Sequence, residues 1–213
     1  MEAKKMKIKT LSVILFICAI CLPFSAKADT IPIELTGVNG AADNGFYISP
    51  YYGTVNGVPN TPIYCIDFTH WDNLGDKWNA YVTPLTSVNS ADNTYLHDLQ
   101  TYEKMAWLIS QYSSADPTNK AAIQGVIWDL SSGGQSNSTS HPDEYAAWLA
   151  KLIPENYQGG NYAGWQILTD EAKKHQEFIV TTPVPEPATL LLLGSGLLGL
   201  GGFARVRRKF RKS

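Results

Sequence analysis

Apolar residues recur along this chain with two different periods. From Ile31 to Leu85 they fall in IPIEL, GFYISPYYGTV, TPIYCIDF and KWNAYVTPL, four runs with the pattern of half-buried strands. Asn-Gly, Asp-Asn-Gly and Pro-Asn signals separate these runs as turns. From Tyr95 to Ile153 the period becomes helical. Leu96, Leu99, Met105, Ala106, Leu108, Ile109 and Tyr112 recur along a first helix. Asp116-Pro117 sets an N-cap before a proline at the first helical position and starts a second helix through Leu130. His141-Pro142-Asp143 starts a third, with Tyr145, Trp148, Leu149 and Leu152 on one face. HQEFIVTTP, residues 175–183, alternates like a strand again, and the serine-rich stretch at 131–140 reads as a loop. Strands, then helices, then a strand predict an α+β fold: an antiparallel β-sheet or small barrel, with a helical segment inserted before the last strand.

Two apolar runs stand outside this pattern. Leu11 to Leu22 follows Lys4, Lys5, Lys7 and Lys9, and precedes Pro23 and Ala26-Lys27-Ala28. A basic start, a short apolar run and a small-x-small site describe a secretory signal peptide, cleaved after Ala28. A retained span needs ~20 apolar residues, more than this run supplies. Neither Cys18 nor Cys21 follows the small residues that lipid attachment requires, so both leave with the signal. Near the other end, Ala188 to Phe203 is apolar and rich in leucine and glycine, and six basic residues lie between Arg205 and Lys212. At ~1.5 Å per residue such a helix covers ~24 Å, a little less than a hydrocarbon core. The basic tail belongs on the cytoplasmic side. The chain therefore divides into a signal peptide (1–28), one ectodomain (29–183), and a terminal segment with a transmembrane helix (184–213).

The order within that last segment is more specific. Pro185-Glu186-Pro187, then the apolar glycine-rich helix, then the arginine cluster resembles the PEP-CTERM sorting signal of Gram-negative bacteria. The resemblance implies an exosortase-type partner that cuts near Pro-Glu-Pro. It implies a membrane-held helix before processing, and a setting of exopolysaccharide and biofilm production. Such a signal is an address and leaves the ectodomain's chemistry open.

Charge narrows the ectodomain's partners. Of 17 Lys+Arg, five lie in residues 1–28 and six in 205–212, leaving six lysines and no arginine between. Against these stand 18 of the 19 acids, counting Glu186, so the net charge is near −12. Nucleic acid, which demands a basic surface, is excluded as a partner. An acidic exterior suits a soluble extracellular domain.

With the signal removed, Cys65 is the single cysteine. In an oxidising compartment a lone thiol is buried, paired between chains, or used. Cysteine packs as a small hydrophobe, and Tyr64, Ile66 and Phe68 around it have the character of strand core. Metal binding through Cys65, Asp67 and His70 is disfavoured, because alternation turns His70 to the other face and no second cluster completes a four-ligand site. No metal and no cofactor are expected. A Cys-His hydrolase would use His70, His97, His141 or His175 as base. The surroundings lack a local cysteine-protease signature, His97 falls on the polar side of a helix, and His141 and His175 lie beside charged loops.

A third chemistry needs glutamine. A thiolate that attacks a carboxamide and expels ammonia leaves an internal thioester, which survives only where water is excluded. In KAAIQGVIWDL, Ala121, Gln124, Ile127 and Trp128 share a helical face, so Gln124 points toward the core. Burying that amide costs free energy unless its polar atoms are satisfied. Gly125 beside it costs ~1 kcal/mol relative to alanine in a helix, which predicts close approach of another backbone.

Tyr64-Cys65-Ile66-Asp67, followed by Ile123-Gln124-Gly125-Val126-Ile127-Trp128, resembles the paired motifs of bacterial surface thioester domains. The resemblance implies that Cys65 supplies sulfur and Gln124 the acyl carbon, with Tyr64, Asp67, Ile127 and Trp128 around the bond. It implies a non-enzymatic adhesin that acylates an amine or hydroxyl on a surface ligand. A chain with the same fold and no bond would be a non-covalent, exopolysaccharide-associated matrix protein; a secreted Cys-dependent hydrolase is the remaining class. Tyr47, Tyr51, Tyr52, Trp71 and Trp78 fit either a carbohydrate-stacking surface or strand core.

Overall fold

The structure is a computed structural model that describes residues 30–181, apart from 135, 137, 138, 154–156 and 158. The expected signal peptide with Ala26 and Ala28, and the expected terminal segment with Pro185, Glu186, Pro187 and the apolar run of 188–203, lie outside the described residues. The elements are β1 (Thr30–Val38), β2 (Ala42–Asp43), β3 (Phe46–Tyr47), β4 (Tyr51–Val55), β5 (Val58–Cys65) and β6 (Lys77–Pro84). A 3-10 turn at Leu85–Ser87 follows, then α1 (Leu99–Ser110), α2 (Pro117–Ser132), α3 (Pro142–Ala150), β7 (Gln166–Asp170) and β8 (Phe178–Val180). Six strands close a barrel in the order β1-β4-β5-β8-β7-β6, every pair antiparallel, while β2 and β3 form a separate hairpin. The chain adopts the expected α+β class and, of the two forms expected, sheet or small barrel, the barrel.

The differences have local causes. Two strands follow the helices, not one, because β7 is buried at four consecutive positions and offers no alternation to read. GFYISPYYGTV breaks into β3 and β4 at Ser49-Pro50, where proline has no N–H for a ladder. β5 stops at Cys65, short of the expected Phe68, because the Asp67 carboxylate accepts the backbone N–H and the hydroxyl of Thr69 and turns the chain. α1 begins at Leu99, capped by Asp98, so His97 and Leu96 precede the helix; His97 has φ 54°.

Two apolar clusters share this frame. Ile31, Ile33, Leu35, Ile63, Cys65, Leu168 and Phe178 belong to the barrel cluster, together with Ala121 and Trp128 of α2. Tyr102, Met105 and Leu108 of α1, with Ile123, Val126 and Ile127 of α2, pack on Ile167 and Ile179 in the second. Residues 121–128 of α2 are all buried. The single inward face expected for α2 is therefore corrected: Ala121 and Trp128 reach the barrel cluster, whereas Ile127 packs in the helical layer. Leu149 also departs from expectation, lying exposed on α3 while Trp148 and Leu152 are buried.

Candidate functional site

Cys65 ends β5 and Gln124 sits midway along α2, and both are fully buried. Asp116 anchors α2 by accepting the N–H of Asn119, and burial of the helix on both sides fixes its rotation. The Gln124 amide then meets Cys65 directly: its Nε2–H donates to the Cys65 carbonyl at 2.9 Å. Its oxygen Oε1 accepts two hydrogen bonds, from the Ser49 backbone N–H at 3.1 Å and from the Tyr112 hydroxyl at 2.8 Å. Ser49 also accepts the Cys65 N–H on its Oγ at 2.9 Å. The loop before β4, the end of β5, the segment after α1, and α2 thus converge on one amide.

The sulfur has its own partners. Cys65 Sγ–H donates to the Asp67 carbonyl at 3.3 Å, and Trp128 Nε1–H points at Sγ from 3.5 Å. Burial pushes the thiol up to about 12, with the Trp128 N–H acting in the opposite sense. At neutral pH the sulfur is protonated and no thiolate stands ready for attack.

Each residue expected around Cys65 and Gln124 lies among the described residues. Trp128 touches the sulfur. Tyr64 lies on the opposite strand face, its ring edge-on to Tyr112 with centroids 5.8 Å apart. Asp67 is buried and contacts the sulfur through its backbone carbonyl, while its carboxylate receives His70 Nδ1 at 2.6 Å. His70 was expected on the far strand face; the turn after Cys65 brings it back to Asp67 instead. Ile127 stands apart from the sulfur, in the helical layer. Gly125 does face a close neighbour, but the neighbour is side chain: a Cβ there would lie 3.1 Å from Thr139 Cβ and 3.5 Å from Tyr145 Cδ2. Ser49 and Tyr112 were missed. Tyr112 reads in the sequence only as the last apolar position of a helix, and Ser49 only as a turn residue.

No histidine takes part in the sulfur's hydrogen bonds; each of the four faces an aspartate. His70 pairs with Asp67, His97 with Asp92 at 3.1 Å, His141 with Asp43 at 4.0 Å, and His175 with Asp72 at 2.5 Å. Among the described residues, Asp72, Asp76 and His175 bring ligand-type atoms within 4.8 Å of one another. Within it, His175 Nδ1 meets the Asp72 carboxylate, which also accepts the Gln176 N–H, and the Asp76 carboxylate accepts the Asn73 N–H.

An aromatic cleft of about 280 Å³ leads from the surface to Trp128. Phe46, Phe68 and Trp71 line it in mutual edge and tilted contacts with centroids 5.4–5.6 Å apart. Tyr47 and Trp71 are 53% and 60% exposed at its mouth, whereas Tyr51 and Trp78 are barrel core.

The C-terminal residues 183–209 match the family model of the PEP-CTERM protein-sorting motif. The chain ends in a sorting signal. That match is confined to the terminus and leaves the ectodomain to its own geometry. Among curated proteins none matches the chain. Solved structures similar to the chain include the following three. One is the N-terminal thioester domain of the fibronectin-binding protein SfbI from Streptococcus pyogenes: TM-score 0.43, 14% identity, 76% of this chain and 97% of that one. A second is the N-terminal thioester domain of a surface protein from Clostridium perfringens: TM-score 0.46, 12% identity, 73% of this chain and 100% of that one. The third is the N-terminal domain of the S. pyogenes pilus tip adhesin Cpa: TM-score 0.43, 13% identity, 76% of this chain and 97% of that one.

Proposed function

We propose that this chain is an exported bacterial surface protein whose ectodomain forms an internal thioester between Cys65 Sγ and Gln124 Cδ and uses it for covalent attachment. The carrying observation is the Gln124 amide, fully buried against Cys65 with its nitrogen on the Cys65 carbonyl and its oxygen between two donors. Bond formation needs no further reactant. Sulfur attacks the carboxamide carbon, the C–N bond breaks, and the thiol proton leaves on ammonia. Burial then keeps water from the acyl carbon.

Attachment reverses the roles. An amine or hydroxyl of a surface ligand takes the acyl carbon of Gln124, and Cys65 departs as a thiol. A sulfur whose thiol pKa is pushed up to about 12 is a poor leaving group, which favours a long-lived bond. Trp128 Nε1–H is the group placed to stabilise the departing sulfur. The aromatic cleft ending at Trp128 supplies the approach.

The sorting motif supports handling by an exosortase-type system in a Gram-negative bacterium, with the helix of residues 188–203 in the membrane before processing. Surface or matrix residence beside exopolysaccharide follows from that reading. Without the bond, the three hydrogen bonds of Gln124 still satisfy its amide, and the same fold serves as a non-covalent matrix protein.

Intact mass of the purified chain decides between these. The thioester form lacks one ammonia, takes up methylamine at Gln124, and is abolished by Cys65→Ala. Full mass, with Cys65 titrating as a thiol once the chain is unfolded, would sink the thioester. Cys65-dependent turnover of an ester or peptide panel would favour a hydrolase.

A further inference from the structure

We propose that the Ser49 backbone N–H and the Tyr112 hydroxyl form an oxyanion site for the Gln124 carbonyl, driving both formation and opening of the thioester; this rests on the thioester reading above. Both lone-pair directions of Oε1 are taken by donors, at 3.1 and 2.8 Å, the range in which preorganised donors act on developing negative charge. The two donors come from different elements and are held independently. Tyr112 is buried with its ring edge-on to Tyr64, so its hydroxyl direction is set by packing. Ser49 is fixed by the reaction partner itself, because its Oγ accepts the Cys65 N–H.

Ser49 therefore ties nucleophile to electrophile: one atom holds the cysteine backbone while the other holds the glutamine oxygen. The leaving nitrogen is oriented as well, by its bond to the Cys65 carbonyl. When the C–S bond forms, the carbonyl π pair moves onto Oε1 between the two donors. Collapse restores C=O and breaks Cδ–Nε2, and the thiol proton departs with ammonia. An attacking amine passes through the same oxyanion, with Cys65 sulfur leaving in place of nitrogen. Tyr112 suits this role at any physiological pH, since burial raises its pKa well above the usual phenol range and keeps it a donor.

A buried glutamine needs hydrogen-bond partners for stability alone, so the test must read chemistry. In the full chain carrying Tyr112→Phe, ammonia loss after pulse-labelled synthesis and methylamine opening should both slow, on the order of a hundredfold. Tyr145→Phe, on α3, removes a hydroxyl bonded to Asp129 of α2, the helix that carries Gln124, and should leave both rates unchanged. Fluorinated tyrosines at position 112 strengthen the donor without changing its place, and opening should accelerate as the ring becomes more acidic. Should Tyr112→Phe fail to fold, that series decides. Wild-type protein lacking ammonia, with Tyr112→Phe equally fast or rates indifferent to fluorination, overturns the oxyanion role and leaves the thioester standing. Full mass in the wild type removes both.

Discussion

The carboxyl group of Glu177 is almost wholly buried and held by the hydroxyls of Tyr102 and Thr169, both at 2.5 Å, and by the Tyr95 N–H at 3.0 Å. Burial, the largest influence, raises its pKa from 4.5 to about 7. The folded value lies above the unfolded one, so the native state binds the proton more tightly. Its contribution to stability is whole below pH 4.5 and is lost as pH rises through about 7. Melting temperature should therefore fall between pH 5 and 7.5, and Glu177→Gln should flatten that slope; an unchanged slope in the variant defeats the assignment. The position matters to the site, because the Glu177 carbonyl accepts the N–H of Ile66, the residue after Cys65. At this scale, legibility depended on chemistry being local. Cys65, Gln124 and Trp128 could be paired from motif and helical spacing. Ser49 and Tyr112 could not, since Ser49 lies 75 residues from the amide it serves and nothing in the sequence marks which hydroxyl meets which carbonyl.

Among the elements, α2 carries the sharpest compromise. Gly125 sits in its middle at a helix-propensity cost of ~1 kcal/mol, and the space for a Cβ is closed by Thr139, whose own Oγ1 accepts the His141 N–H. Gly125→Ala should gain that propensity and lose more to overpacking, which runs at about 1–3 kcal/mol, for a net loss of about 1 kcal/mol by chemical denaturation. Adding Thr139→Gly should return most of it; failure of that rescue would place the constraint elsewhere. The half-buried strands and the Asp116-capped start of α2 were readable because the strand pattern is periodic and the cap is short-range. β7 was not, since burial on both faces erases alternation, and the end of β5 was not, since the Asp67 turn overrides an apolar run. The histidine pairs show the same limit: His175 meets Asp72 across 103 positions of sequence.

In the whole molecule, the thioester would join β5 to α2 across 59 residues. By the chain-entropy model a closed loop of that size stabilises by about 4 kcal/mol. Methylamine-opened protein should unfold at correspondingly lower denaturant than the intact form, and identical midpoints would show that the link adds nothing to the fold. The barrel also sets how the molecule bears load. Phe178 stands opposite Cys65 across β5 and β8, and the chain leaves β8 beyond Val180, toward the sorting motif. A ligand fixed at Gln124 would load α2, from which Cys65 has parted, and a C-terminus held at the cell surface would load the end of β8. Because β8 is bonded on both sides, to β5 and β7, tension runs along the strand and must shear two ladders at once. Stretched between those two points in a single-molecule tether, the domain should rupture at higher force than when pulled across the sheet through β1.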